Sequence, residues 1–227
     1  MDFQGELREL LLGEVPLRFW ESMAKGAPVL YKEAYSRAYK ETAWGEPEAK
    51  YMLPHHRRSF FEYLFRTSAL TAGLIAVSEP NFAGNCEYTL VRAGRLVFTA
   101  SHVDGENEVV RPSLFRKQNA IVNRILSNPT LKAENSDEVI FNPPKLYEAD
   151  EISAIITHGA ISNDPSTFGF VRVVFPSADS TKYVANFDMF EIYTISLNRA
   201  QAKAQADVVD IAIPKLRKKK KGESDNE

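Results

Sequence analysis

The chain has 227 residues, 44% of them hydrophobic and 26% charged, and its 28 basic and 30 acidic residues give a formal charge of −2. These values exclude collagen-like, low-complexity and wholly disordered chains, and the length allows one large domain or two small ones. A single cysteine, Cys86, excludes an intramolecular disulfide framework and a cysteine-based zinc site.

Residues 1 to about 75 read as helical. Leu7, Leu10 and Leu11 start an amphipathic pattern that stops at Gly13 and Pro16. Leu17, Trp20, Met23 and Ala24 repeat it as far as Gly26 and Pro28. A third helix carries Leu30, Ala34 and Ala38, and its Tyr31, Tyr35 and Tyr39 stripe reads as helix packing. The fourth and most apolar helix runs from Arg57 to about Gly73 through Phe60, Phe61, Leu64 and Phe65. Its opening His55-His56-Arg57-Arg58 puts cations at a helix start, against the macrodipole.

The period then changes to that of strands. Glu87–Val91 and Arg95–Ala100 flank Arg92-Ala93-Gly94, a loop with the glycine a tight hairpin needs. Pro112–Ser127 is a helix closed by Asn128-Pro129. Val139–Phe141, Ile152–His158, Phe168–Phe175 and Tyr183–Ile195 have strand composition, and Ala200–Ala206 is a short helix. The expected fold is α+β: a helical N-terminal part (1–78) on a mostly antiparallel sheet of five or six strands (79–213), as one domain or two. A basic, disordered tail (214–227) follows.

The near-neutral total hides a division. Removing the residues after Ile213 leaves 22 basic and 27 acidic residues, so the body carries −5 and the tail is a basic stalk. No apolar stretch reaches the ~18 to 20 residues of a membrane span, and the N-terminus lacks the pattern of a secretory leader. A cytoplasmic protein without membrane association is expected.

Phosphate-binding glycine loops and G-x-S-x-G are absent. Val139-Ile140-Phe141-Asn142-Pro143-Pro144 is similar to the Asn-Pro-Pro motif of amino-methyltransferases. Lys145 stands where that family has an aromatic residue, so the segment reads as a strand ended by a Pro-Pro turn. No cofactor or metal site is expected, since H-E-x-x-H and H-x-x-E-H spacings are missing. His102 and Asp104 share one side of a strand, however, and His158 ends another. The three would make an acid–base site if they converged.

The pattern that points furthest is basic. On the Ser113–Ser127 helix, Leu114, Ile121, Val122 and Ile125 are expected to be buried. Arg116, Lys117, Ala120, Asn123 and Arg124 are expected on the opposite, exposed face. Arg92 and Arg95 flank the hairpin loop, and Arg57 and Arg58 form a second cluster. Cations of this kind hold phosphates, and an exposed Asn123 would read a base edge. The leading expectation is therefore a non-enzymatic regulatory protein that binds nucleic acid, or a nucleic-acid-acting protein, through Arg92, Arg95, Arg116, Lys117, Asn123, Arg124, Arg57 and Arg58. One alternative is a protein-partner binder such as an inhibitor, adaptor or antitoxin-like neutraliser, served by the acidic segment from Glu134 to Asp164. The other is an enzyme using His102, Asp104 and His158.

Overall fold

The computed structural model describes residues 3–41, 45–81, 86–111, 113–127, 151–162 and 164–220, with side chains in the last helix as far as Gln205. Three helices come first: α1 (Phe3–Glu14), α2 (Leu17–Tyr39) and α3 (Glu46–Thr71). Strands β1 (Ile75–Pro80), β2 (Glu87–Ala93) and β3 (Leu96–His102) follow. Next come α4 (Leu114–Ala120), a 3₁₀ turn (Ile121–Asn123) and α5 (Arg124–Ser127). The chain ends in β4 (Ile152–Ile161), β5 (Asp164–Pro176), β6 (Tyr183–Asp188) and α6 (Met189–Lys220). The fold is α+β. Among the described residues six strands lie in chain order, antiparallel except for the parallel β3–β4 pair, so the sheet is mixed.

Several boundaries move from those expected. Proline does not end the second helix: α2 runs through Pro28 and α3 through Pro54. An interior proline costs ~3 kcal/mol, and α2 offsets this by burying Phe19, Trp20, Met23, Ala27, Tyr31 and Ala34. The long helix starts at Glu46, with Pro47 at its first positions and Glu48 in its first turn favouring the macrodipole. Arg57 and Arg58 therefore lie in its middle, and the expected clash with the helix dipole does not arise. α3 stops where the Leu74 amide reaches back to the Ala69 carbonyl over Gly73, whose φ is +79°.

The expected strand at Tyr183–Ile195 ends at Asp188. The Asp188 carboxylate accepts from the amides of Phe190 and Glu191 at 2.7 and 3.1 Å, which starts α6 at Met189. The expected Ala200–Ala206 helix is part of α6, and the backbone remains helical through Lys220, beyond the point where the tail was expected to become disordered. The expected strand Val139–Phe141 and the Asn-Pro-Pro segment lie outside the described residues.

One hydrophobic cluster joins the layers. Leu11 of α1, Phe19 and Trp20 of α2, Phe61 and Phe65 of α3, Phe98 and Ile156 of the sheet, and Ile192 of α6 all belong to it. Alternate strand residues face this cluster: Leu96, Phe98 and Ala100 on β3, and Ile152, Ala154 and Ile156 on β4. The same alternation carries His102 and His158 to that face. The β3–β4 register pairs them directly.

Candidate functional site

The site begins with that register. His102, the last residue of β3, and His158, within β4, form the last pair of the parallel ladder, ring centroids 5.5 Å apart. α3 covers them: Phe61 stacks on the His158 ring at 3.6 Å, nearly parallel. α2 supplies Tyr31, whose hydroxyl lies 2.7 Å from His158 Nδ1 in one hydrogen bond, its direction set by the imidazole tautomer. Asp104 approaches His102 Nδ1 at 4.0 Å. His102 thus neighbours both, but the three do not share one pocket: His158 and His102 line one space, His102 and the largely exposed Asp104 another.

Three guanidinium groups surround the pair. Arg57, only 7% exposed, lies over the Tyr31 ring and donates to the Pro165 carbonyl. Arg116 enters from α4, donating to Ser101 Oγ and the Arg111 carbonyl at 3.0 Å, with its plane over Phe115. Arg58 stands at the opening, beside Cys86. Among the described residues none of the three forms an ion pair with a carboxylate. The buried Nε atoms of Arg57 and Arg116 have no hydrogen-bond partner there.

The room for these groups comes from an interrupted ladder. β2 and β3 pair only at Val91–Phe98, Arg92–Val97 and Ala93–Leu96. Beyond Val91 they no longer pair. The Thr89 amide there donates to Glu62 of α3 at 3.0 Å, and Tyr88 stacks on Phe115 at 4.4 Å. A cavity of about 90 Å³ remains, lined by Arg58, Glu62, Ser101, His102, Arg116 and His158 among others. A second hollow of about 300 Å³ lies on the other side of His102, beside Arg57, Asp104 and Pro165.

The electrostatics follow from burial and these cations. Burial, with His102 and Arg57 adding to it, holds the His158 pKa well below its ordinary value. Burial and Arg57 lower that of His102, against the opposing pull of Asp104 and Glu108. Burial raises the Tyr31 hydroxyl, which stays protonated. It raises Glu62 too, against the Thr89 hydrogen bond and the charges of Arg58 and Arg116. The site thus presents two uncharged imidazoles among three cations. No protein-family model, curated protein or solved structure matches this chain. Among the described residues no helix is long and apolar enough to cross a membrane, and no group of three or more His, Cys, Asp or Glu is placed to hold a metal ion.

The basic surface expected from the sequence is largely dispersed. Asn123 is fully buried: its amide donates to the Ser153 and Pro176 carbonyls and accepts from the Ser153 amide, each at 2.8 Å. It cannot read a base edge while it ties the 3₁₀ turn to β4 and β5. Ala120 is buried as well, whereas Leu114 is exposed, so the α4 face is rotated from the expected one. The buried positions Asn119 and Asn123 are polar, which hid the true phase. Arg92 pairs with the buried Glu151, and Arg95 lies 3.8 Å from Glu14. Lys117 and Arg124 are exposed. Arg57, Arg58 and Arg116 belong to the histidine cleft instead. Tyr31, Phe61 and Glu62 were not expected in any site. Tyr31 does stand out as a polar-tipped residue among Ala27, Ala34 and Ala38, and Glu62 as an acid in the most apolar helical run.

Proposed function

We propose that this protein is an enzyme that binds an anionic substrate group in the cleft between α3, β3 and α4 and moves a proton with His102. The observation that carries this reading is the set of three guanidinium groups, without ion-paired carboxylates among the described residues, around two uncharged histidines. Arg57 and Arg116 are largely shielded from water, where a charge is costly unless compensated, and with the exposed Arg58 they favour an anionic ligand. A neutral imidazole beside it is competent as a general base, and arginine remains cationic throughout. His158 is a positioning residue, held by Tyr31 and Phe61, that packs against His102. The free Cys86 thiol supports a reducing, cytoplasmic compartment.

The test is turnover of p-nitrophenyl phosphate, bis(p-nitrophenyl) phosphate and p-nitrophenyl acetate by the wild type and His102→Gln. At least one ester is expected to be hydrolysed, with His102→Gln slower by about 10²-fold or more at unchanged thermal stability. Silence towards all three esters, with no anion perturbing the His102 ring resonances, overturns the reading.

A second reading, nucleic-acid binding, is favoured by exposed Lys117 and Arg124 on α4 and α5, next in sequence to the cleft residue Arg116 and to the buried Asn123. It requires a salt-sensitive oligonucleotide shift that Lys117→Ala with Arg124→Ala reduces.

A further inference from the structure

We infer that the 90 Å³ cavity is the seat of a terminal phosphoryl group, the dianionic end of a phosphate monoester. This rests on the anion-binding reading above and names the substrate class.

Size argues first. Pockets that enclose a whole small-molecule ligand span ~300 to 1,000 Å³, so a space of about 90 Å³ takes an end group and leaves the rest of the ligand outside. The hollow of about 300 Å³ borders the same His102 but shares no other lining residue with this cavity. A phosphodiester would have to send two substituents out of the enclosed space, whereas a monoester sends one.

Charge and donor count argue second. Arg58 and Arg116 line the cavity and Arg57 stands behind His102. Against these three cations are Glu62, whose carboxyl is buried, and Asp104, whose side chain is largely in water. A carboxylate ligand brings one charge and two oxygens. A terminal phosphoryl brings up to two charges and three oxygens, which suits guanidinium donors set on separate elements. Arg116 is held for this by Ser101 and Arg111, and its Nε–H still lacks a partner among the described residues.

The experiment is a titration of the intact chain followed by the His102 and His158 ring resonances, with assignments from His55→Gln and His56→Gln. The ligands are inorganic phosphate, phenyl phosphate, dimethyl phosphate and acetate. Phosphate and phenyl phosphate are expected to bind at least tenfold more tightly than the other two and to raise the His102 titration midpoint. Arg116→Ala should weaken phenyl phosphate at least tenfold, and Lys50→Ala, at an exposed position near the start of α3, should leave it unchanged. If Arg116→Ala does not fold, Glu62→Gln at pH 8 decides: it keeps an acceptor for the Thr89 amide, removes a negative charge, and should tighten phenyl phosphate. Equal binding of dimethyl phosphate or acetate, or no gain in Glu62→Gln, overturns the phosphoryl assignment while the anion-binding enzyme stands. Failure of every anion overturns both. A 5′-phosphorylated dinucleotide that binds more tightly than phenyl phosphate assigns the group to a nucleic-acid end, and equal binding assigns it to a small-molecule monoester.

Discussion

His158 is 2% exposed and lies between Phe61, Tyr31 and His102, and the Arg57 charge acts on it. His102 faces Arg57 from α3 and Asp104 and Glu108 from the loop after β3. Both pKa values are lower in the folded chain than the ordinary 6.5. The unfolded chain therefore binds more protons below pH ~6.5, and stability falls as the pH drops from 6.5 towards the folded-state values. Above 6.5 the two histidines contribute no slope. Each adds at most ~1.4 kcal/mol per pH unit within that window. Urea midpoints between pH 5 and 8 should show this fall, and His158→Phe should flatten it. A slope that His158→Phe leaves unchanged would rule His158 out as its source. At this scale the sequence pointed to His102, Asp104 and His158 as strand-end residues, and it marked Arg57, Arg58 and Arg116 only as part of a basic surface. What joins them is the β3–β4 register, set across a connection of some fifty residues, and no local pattern encodes that.

Helices and strands were easier to place than to bound. The hairpin at Gly94 follows from its composition, and Gly94 has the positive φ, +54°, that such a turn needs. Two helices extend through Pro28 and Pro54 because their buried faces outweigh a local rule. The phase of α4 was misread because Asn123 satisfies its polar atoms on strand backbone, so a polar residue takes a core position. Glycines test how closely the elements approach. A Cβ at Gly159, next to His158, would lie 2.7 Å from the Val103 carbonyl oxygen and 2.5 Å from the Phe170 ring. Gly159→Ala must push β4 from β3 where the two histidines meet. A loss of ~1 to 3 kcal/mol in urea unfolding is expected, with displaced His158 ring resonances. Gly13→Ala in α1 meets nothing within 4 Å and should gain ~0.5 to 1 kcal/mol. If the two variants had equal stability, the tight β3–β4 approach would be wrong.

The composition allowed one domain or two, and a boundary near residue 78 separates the helical part of the sequence from the strands. Side-chain packing crosses that boundary. Phe98 of β3 lies 6.5 Å from both Phe19 and Trp20 of α2, and Phe19 also meets Phe65 of α3. Surface ion pairs such as Arg199–Glu9 and Arg8–Glu191 also link α1 to α6, but they are about half exposed and screened by water. Cohesion between the layers therefore rests on the aromatic contacts. If so, helices and sheet should unfold together. In a Trp44→Phe background, fluorescence of the fully buried Trp20 reports the helix–sheet contact and far-UV circular dichroism reports the whole fold. The two urea transitions should coincide. Phe98→Ala should shift both by the same amount, with a loss of ~3 to 5 kcal/mol. A Trp20 transition that Phe98→Ala moves while the dichroism transition stays would instead separate a helical unit from the sheet. The histidine cleft, built from α2 and α3 on one side and β3 and β4 on the other, would then open before the chain unfolds.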